Sequence, residues 1–502
     1  MSPRTALMVG VLGILAAGMM APGTPRSTQS PEEYARRQYQ SGLAFLRDGN
    51  YGEALKDFQA VADQYPASSV ADQALLQIAL YHLEVARNPD AAAGPADLIL
   101  KKYPAGEAAP LAHVVTGRIL AGRGSAADLA AALASFERVR RLFPGSGAVP
   151  AAMFHAAETL RANRRESEAL PLYRQVVTDH AHSVHAPRAL LGEGACLLKL
   201  GRPVEAMAQW QRVRQRHADL PEAQVAWEWN TIAYRLYIRA PAQAAYAFTG
   251  RTIPGAPAKL KDVLGLSFGA RGALHVAQRN QAAAFDAAGA PLPSPVVGPV
   301  RAVAAAPDGR VWFVLRGGAL TPAGDTVALG MPKPDGTLRV VEEIPAAVVT
   351  SAGDLLVADR QAKAIVRFSA AGRYVGVFAQ PLNAVRLARG SSDDVAALDR
   401  DDRSVSVFDR HAALVRRFTA RGQGYAFANP VDIAFDALDH LYVLDRGVGA
   451  VMVFGAGEAP LTALSVPPRA PGALRRAAAL AVDSAGRLFV YDDDTERVLV
   501  FQ

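Results

Sequence analysis

Hydrophobic positions follow two different periods along this chain, and the period changes near residue 245. In the N-terminal half, apolar residues recur three and four positions apart, as at Ala54, Phe58 and Val61, which is the spacing of one helix face. In the C-terminal half, short runs alternate apolar and polar residues, which is typical of strands with two faces. The pattern predicts a helical half followed by a half built of strands.

The helical half consists of units that repeat every 37–40 residues, each closed by a similar dipeptide. These dipeptides are Tyr65-Pro66, Tyr103-Pro104, Phe143-Pro144, His180-Ala181 and His217-Ala218. Proline disfavours helix in the residue before it, so the first three pairs mark helix ends. Within a unit, Gly42 lets two helices approach closely, and Asp48-Gly49-Asn50 forms the turn between them. Each unit is therefore predicted to be a pair of helices.

This pattern of Gly-x-Tyr, Glu-Ala, an aromatic residue and a terminal proline resembles the tetratricopeptide repeat. It is most similar to repeats of exported proteins, namely a subunit of the outer-membrane assembly machinery and a periplasmic cell-division coordinator. The resemblance implies a solenoid of about five helix pairs over residues 31–240, and such solenoids bind peptides and proteins. The second unit departs from this pattern, because ARNPDAAAGPADLILKKYP carries Pro and Gly where a compact turn is expected, and the sequence does not define its local geometry.

The strand half contains six segments in which a turn precedes an alternating run, such as PDGRVWFVLR and SAGRLFVYDD. Their equivalent positions are Leu274, Val311, Leu355, Val395, Leu441 and Leu488. A second strand follows in most units and ends on an aromatic residue, as at Phe368. These units resemble the NHL repeat, and the resemblance implies a six-bladed β-propeller over residues 246–502. The fold class is thus α-solenoid followed by an all-β propeller.

The last propeller unit stops after its third strand at RVLVFQ. Residues 246–253 precede the first unit and form a strand pattern without a partner nearby. We expect this strand to pair beside residues 497–501 and to close the ring, because an unpaired strand edge favours aggregation.

One chemical pattern repeats in the propeller, since five of the six units place arginine directly after the strand that follows the turn. These residues are Arg279, Arg316, Arg360, Arg400 and Arg446, and Asp493 takes the sixth position. Loops at equivalent positions gather on one propeller face, so a ring of arginines is predicted to bind an anionic ligand or an acidic partner segment. The alternative is that arginine is merely common at this position and is neutralised by acids such as Asp359, Asp399 and Asp445.

The formal net charge of +7 over 502 residues is shared almost evenly by the two halves. Neither half has the charge of a strongly basic nucleic-acid module, so RNA binding is the weaker hypothesis and no nucleic acid is expected as a partner. Asp-rich strings such as 399–402 and 492–494 lack the alternating acids of a calcium loop and indicate turn capping.

Catalytic and metal-binding patterns are sparse. The single cysteine, Cys196, lies in an apolar helical run and is expected to be a buried inert thiol, with a redox thiol or an intermolecular bridge as alternatives. His180, His182 and His185 lie close together, but no acid or cysteine completes a tetrahedral zinc set. No cofactor or metal is therefore predicted.

Residues 1–21 combine Arg4 with an apolar stretch from Ala6 to Ala21, the pattern of a signal peptide or of an uncleaved anchor. A Pro/Ser/Thr-rich linker, 22–30, follows. Both readings place the rest of the chain outside the cytoplasm, in the periplasm or cell envelope, with membrane contact only through an uncleaved anchor.

Together these features predict an exported, non-enzymatic scaffold or adaptor. Its solenoid would bind protein or peptide partners, and its propeller face a second protein or an anionic glycan. The alternative is a propeller enzyme, similar to lactonases or lyases, that acts on an anionic carbohydrate with the solenoid as docking arm.

Overall fold

The computed structural model of the chain shows a helical region followed by a β-propeller. It describes residues 30–240, 244–255, 258–294, 296, 298–333 and 335–502. The predicted signal or anchor, 1–21, and all but Ser30 of the linker lie outside the described residues. The chain forms two compact units, the first ending at Ala109 and the second running from Pro110 to Gln502. Among the described residues, the first unit has helices but no strands, whereas the second contains helices and strands.

Within the described residues, helices occupy the chain up to Arg239. The α-helices are α1 (Pro31–Arg47), α2 (Tyr51–Gln64), α3 (Ala71–Leu80), α4 (Pro89–Lys102), α5 (Ala109–Arg123), α6 (Ala126–Leu142), α7 (Val149–Ala162), α8 (Glu166–Asp179), α9 (Ala186–Lys199), α10 (Pro203–Arg216) and α11 (Pro221–Ala233). Two π-helical turns, Tyr81–Val85 and Tyr234–Arg239, follow α3 and α11. The predicted helix pairs are thus present, and α11 adds a single helix after them.

The helix ends follow from the sequence signals. At the start of α1, the Ser30 Oγ accepts a hydrogen bond from the Glu33 amide at 3.2 Å and the Glu33 carboxylate accepts one from the Ser30 amide at 2.8 Å, a capping box. The second helix of each pair ends directly before a closing dipeptide. The C-cap residues are Tyr65, Tyr103, Phe143, His180 and His217. The dipeptides therefore mark helix ends even where His-Ala replaces an aromatic residue and proline.

Close packing inside the first pair depends on Gly42. A Cβ atom at this position would lie 2.7 Å from Cε1 of Phe58 on the facing helix, which is closer than packed atoms approach. The second repeat, whose sequence departs from the repeat pattern, is irregular. The π-helical turn widens the end of α3, and α4 begins at an Asn88 N-cap with Pro89 in its first turn.

Six four-stranded antiparallel sheets form the blades of the propeller. From the innermost strand a to the outermost strand d, blades one to three are β2 (Val263–Phe268), β3 (Leu274–Gln278), β4 (Ala282–Phe285), β5 (Pro291–Leu292); β6 (Ala302–Ala305), β7 (Val311–Leu315), β8 (Gly318–Leu320), β9 (Thr326–Ala328); and β12 (Ala347–Val349), β13 (Leu355–Asp359), β14 (Ala364–Phe368), β15 (Tyr374–Ala379). Blades four to six are β16 (Ala384–Arg389), β17 (Val395–Asp399), β18 (Ser404–Phe408), β19 (Leu414–Phe418); β22 (Pro430–Phe435), β23 (Leu441–Asp445), β24 (Ala450–Phe454), β25 (Pro460–Ser465); and β26 (Ala477–Val482), β27 (Leu488–Asp492), β28 (Arg497–Phe501), β1 (Phe248–Ile253). The fold class predicted from the sequence is confirmed.

Ring closure uses the strand that precedes the first blade. β1 pairs antiparallel with β28, with Phe248 opposite Phe501 and Ile253 opposite Val498. The amides of Ala247 and Gln502 each donate to the other residue's carbonyl at 3.0 Å. The sixth blade therefore combines three strands from the end of the chain with one from near residue 250, which covers the edge of β28.

Two short hairpins that the sequence analysis did not predict interrupt the blade order. β10 (Gly330–Pro332) pairs with β11 (Leu338–Val340) between blades two and three, and β20 (Arg421–Gly422) pairs with β21 (Tyr425–Ala426) between blades four and five. Both lie in connections from a strand d to the next strand a, where repeat length varies.

Candidate functional site

The two ends of the propeller carry opposite charge. One end is formed by the a–b and c–d turns, residues 269–273, 286–290, 306–310, 321–325, 350–354, 369–373, 390–394, 409–413, 436–440, 455–459 and 483–487. The other end is formed by the b–c turns and the described residues of the d–a connections, 254–255, 258–262, 279–281, 293–294, 296, 298–301, 316–317, 329–333, 335–346, 360–363, 380–383, 400–403, 419–429, 446–449, 466–476 and 493–496. The first set has five Lys or Arg and eleven Asp or Glu, a formal net charge of −6. The second set has sixteen Lys or Arg and nine Asp or Glu, a formal net charge of +7. We call them the acidic face and the basic face.

Helices of the second unit pack against the acidic face, and two ion pairs join them. Arg164, in the turn between α7 and α8, lies 2.5 Å from the Asp394 carboxylate, and Lys199 at the end of α9 lies 3.3 Å from that of Asp439. Burial favours the neutral form of Asp439, but Lys199 and hydrogen bonds from Ser391 outweigh it and lower its pKa. The carboxyl of Asp439 is therefore held charged between the helices and the blades.

Asp439 at this joint, and Asp393 next to Asp394, occupy a position that is glycine in the other four blades. Two residues before each strand b the backbone has positive φ, and the residues there are Gly272, Gly309, Gly353, Asp393, Asp439 and Gly486. Aspartate adopts this conformation at a steric cost that glycine avoids. In return, Asp393 accepts hydrogen bonds from Ser351 and Asp439 accepts them from Ser391, in each case a serine of the preceding blade. These aspartates thus join neighbouring blades, and Asp439 also binds a helix.

A chain of buried polar side chains crosses the joint. The Tyr237 hydroxyl lies 2.9 Å from His440 Nε2, and His440 Nδ1 lies 2.7 Å from the Asp436 carboxylate. Tyr442 donates to the same carboxylate at 3.0 Å, and its hydroxyl is 2.8 Å from that of Tyr246. Burial raises the pKa of Tyr246 to about 12 and that of Tyr237 further. The hydroxyl groups of Tyr237 and Tyr246 therefore stay protonated, and these side chains form a packed hydrogen-bond network.

Arg235 is the most buried cation of this joint, with 4 % of its surface exposed. It donates to the Gly486 carbonyl at 2.5 Å, and its guanidinium lies 5.0 Å from the centre of the Tyr246 ring. Next to it, Ile232 packs so closely on blade six that a Cβ atom at Gly486 would lie 2.6 Å from its Cγ1. A single apolar core accordingly continues from the helices, through Leu236 and Tyr246, to Leu438 and Phe501 of the blades.

The five predicted arginines all lie on the basic face, at the b–c turns of blades one to five. Two of them are paired. Arg316 lies 3.0 Å from Glu342, and Arg446 donates to the Ala477 carbonyl at 2.8 Å with Asp493 at 3.7 Å. Arg279, Arg360 and Arg400 are exposed, and within the described part of the chain their side chains have no hydrogen bond or ion pair. The arrangement of the five as one anion-binding ring stays a prediction.

The acids before these arginines have other partners. Asp445 accepts hydrogen bonds from the amides of Ala428, Asn429 and Gly447 at 2.7–2.9 Å. Asp399 likewise accepts from backbone amides, and Asp359 pairs with Arg339 rather than with Arg360. The turn capping expected of the string 399–402 is confirmed at Asp399, and none of these three aspartates pairs with the adjacent arginine.

The hairpin β10–β11 adds residues that the sequence analysis missed. Arg339 on β11 reaches across to Asp359 and to Gln361, next to Arg360 in the b–c turn of blade three. On the other side, Glu342 pairs with Arg316 and Val340 packs on Gly317 in the b–c turn of blade two. The hairpin therefore bridges two of the predicted arginine turns.

One buried ion pair joins the innermost strands. The Asp432 carboxylate on β22 accepts from the Leu480 amide of β26 at 2.8 Å and lies 3.3 Å from Nε of Arg386 on β16. Burial raises the pKa of Asp432 to about 6, although Arg386 and the amide hydrogen bonds oppose the shift. These contacts therefore connect the innermost strands of blades four, five and six.

The other candidate groups pack in the core. Cys196 is completely buried, and burial raises the pKa of its thiol to about 12. The His185 ring stacks on Phe154, and burial lowers the pKa of His185 to about 4. Among the residues that the structure describes, no group of three or more His, Cys, Asp or Glu is placed to hold a metal ion. None of the described helices has the length and apolar character needed to cross a membrane.

Comparison with known proteins supports the helical repeat. A tetratricopeptide-repeat family model matches residues 38–68, so the chain contains a tetratricopeptide repeat, here joined to a six-bladed β-propeller. A thermophilic tetratricopeptide-repeat protein of Thermus thermophilus is 15 % identical with a TM-score of 0.32, covering 39 % of this chain and 98 % of its own. No curated protein matches the chain.

Solved structures similar to the propeller include two lyases. Virginiamycin B lyase of Staphylococcus aureus is 16 % identical with a TM-score of 0.35, covering 46 % of this chain and 80 % of its own. A streptogramin B lyase is 12 % identical with a TM-score of 0.36, covering 51 % of this chain and 97 % of its own. At these values the similarity concerns the fold.

Proposed function

We propose that this protein is an exported, non-enzymatic scaffold that binds protein partners through its helical repeats and through the basic face of its propeller. The observation that supports this most is the joint. Helices of the second unit cover part of the acidic face with a continuous apolar core, buried hydrogen bonds and two ion pairs. Such a joint holds the helices of the second unit and the propeller as one body, as a scaffold requires.

The charge distribution supports the same function. The acidic face receives Arg164 and Lys199 from the helices, whereas the basic face presents exposed arginines on successive turns. Complementary charge directs partners to one surface and repels wrong ones. A partner of the basic face and a partner of the second unit's helices would thus be held at a constant distance.

The scaffold function predicts that the immobilised full-length chain captures two separable groups of proteins from a cell-envelope extract. One group is lost when Arg279, Arg360 and Arg400 are replaced by alanine, and the other is retained. The matched control replaces Arg271, Arg310 and Arg373, three exposed arginines of the acidic face, and retains both groups. Capture of no protein beyond that of an unrelated bait would contradict the function.

Export is part of this proposal and is tested separately. The full-length chain, fused at its end to a reporter enzyme that matures only outside the cytoplasm, is expected to be active. Deletion of residues 1–21 should abolish the reporter activity, because that segment has the pattern of an export signal.

A further inference from the structure

Three cations of the basic face are available for a partner. Arg279, Arg360 and Arg400 are exposed on the b–c turns of blades one, three and four and, among the described residues, have no side-chain partner. A guanidinium group donates two parallel hydrogen bonds to a carboxylate or a phosphate. The charge of this face, sixteen cations to nine anions, favours an anionic partner.

Exposed apolar residues stand beside these cations. On β11, Leu338 is 66 % exposed and Val340 is 44 % exposed. Residues two apart on a strand point to the same side, so the two side chains form one apolar strip. Arg339 between them points to the opposite side, to Asp359 and Gln361. Val340 packs on Gly317 in the b–c turn of blade two, so the strip stands at that turn, and blade two lies between blades one and three, which carry Arg279 and Arg360.

This combination distinguishes among anionic partners. Nucleic acids and acidic glycans supply negative charge but no aliphatic side chains to cover Leu338 and Val340. An acidic polypeptide supplies both, because carboxylates pair with the arginines while neighbouring apolar residues bury the strip. Apolar centres with charged rims are also the usual composition of protein interfaces.

We propose that the basic face binds an acidic polypeptide segment in which apolar residues alternate with carboxylates. The inference rests on the proposed scaffold function and names the chemistry of one of its partners. The acidic face would repel such a segment, so binding is confined to the end of the propeller that carries β10–β11. Salt should weaken the interaction, because exposed charges are screened.

The experiment measures fluorescence anisotropy of labelled probes with the purified full-length chain at low ionic strength. One probe is a synthetic peptide that repeats Glu-Leu-Asp, the second repeats Glu-Ser-Asp at equal length and charge, and the third is single-stranded DNA of equal charge. We expect the leucine peptide to bind at least about tenfold more tightly than the other two, because only it covers the apolar strip.

Variants assign the contacts. Replacing Arg279, Arg360 and Arg400 by alanine is expected to weaken binding of the leucine peptide at least about tenfold. The control that replaces Arg271, Arg310 and Arg373 removes the same charge from the acidic face and should not weaken it. The double variant L338S/V340S should remove the preference for leucine over serine. Circular dichroism and thermal unfolding like those of the wild type show that each variant is folded.

Two results would overturn the inference. The first is equal binding of the leucine peptide to the wild type and the basic-face variant. The second is DNA or the serine peptide binding as tightly as the leucine peptide, which would assign the face to polyanions in general. Either result, with capture of envelope proteins intact, leaves the scaffold function standing, whereas loss of all capture contradicts the scaffold function itself.

Discussion

Replacing Gly486 by alanine tests the contact between the helices and blade six at atomic scale. Gly486 has φ of +70°, and its added Cβ would lie 2.6 Å from Cγ1 of Ile232 and 3.2 Å from a guanidinium nitrogen of Arg235. Gly353 is the matched control, because it holds the equivalent position in blade three with φ of +89°. A Cβ at Gly353 would meet only the Cβ of Ala370, at 3.9 Å, an ordinary contact.

The two substitutions share the backbone strain, which costs about 1–2 kcal/mol for a side chain in the left-handed region. Only Gly486→Ala adds the overlap with Ile232, and overpacking of this kind costs about 1–3 kcal/mol. We therefore expect Gly486→Ala to lower the free energy of unfolding of the second unit by about 2 kcal/mol more than Gly353→Ala does.

Hydrogen exchange of the amides of α11, followed by mass spectrometry, measures the difference. A loss of about 2 kcal/mol raises exchange through opening about thirtyfold. The substitution Ile232→Ala removes the overlapping atoms, so in that background the two glycine variants should cost nearly the same. Equal destabilisation by Gly486→Ala and Gly353→Ala in the wild-type background would refute the reasoning, because the helix would not contact this turn.

Three further predictions concern single buried groups. Arg235→Met should destabilise the second unit by about 3 kcal/mol in urea titration, since a buried charge-assisted hydrogen bond and a cation–π contact are lost, whereas Arg202→Met, at an exposed pair with Glu205, should cause no measurable change. The pKa of Asp432 is raised to about 6 in the folded protein, so the folded state binds the proton more strongly and the free energy of unfolding falls by about 3 kcal/mol as pH rises from about 4 to 6. This loss should be absent in Asp432→Asn, and equal pH profiles of the two proteins would contradict the prediction. Cys196 should not react with a thiol reagent at pH 8 until denaturant is added, because burial raises the pKa of its thiol to about 12. Rapid labelling of the native protein would contradict this prediction and show that α9 opens.

The repeats made most of the fold predictable. Each closing dipeptide ends a helix, and each strand position in the alignment of the six units begins a strand b, from Leu274 to Leu488. Such agreement is expected because every unit meets the same neighbours, so its apolar pattern is repeated. The hairpins escaped prediction because they lie where units differ in length and have no second copy.

The joint was not predicted, because its contacts connect residues more than 200 positions apart, such as Arg164 with Asp394 and Arg235 with Gly486. One signal was nevertheless present. Blades four and five carry Asp393 and Asp439 where the other blades have glycine, and Asp439 binds Lys199. An aspartate at a position that is glycine in the other blades therefore indicated a contact that those blades do not make.

The predicted arginine positions were placed on one face by topology alone, but their availability was not predictable. Arg446 binds a backbone carbonyl of the next blade, and Arg316 pairs with a glutamate in an inserted connection. Glu342 lies in a variable connection, whereas Ala477 is the first residue of β26 in the next blade. The sequence therefore indicates which residues share a face, and only the structure separates the arginines that have no side-chain partner among the described residues from those already paired.

The most direct test of the joint is native-state hydrogen exchange across the second unit at increasing urea. If helices α9 and α11 and blades five and six form one cooperative body, their slowest amides should converge on the same opening free energy and the same urea dependence. Exchange of α9 and α11 through a smaller opening, while blades five and six stay protected, would contradict a rigid joint between the helices of the second unit and the propeller.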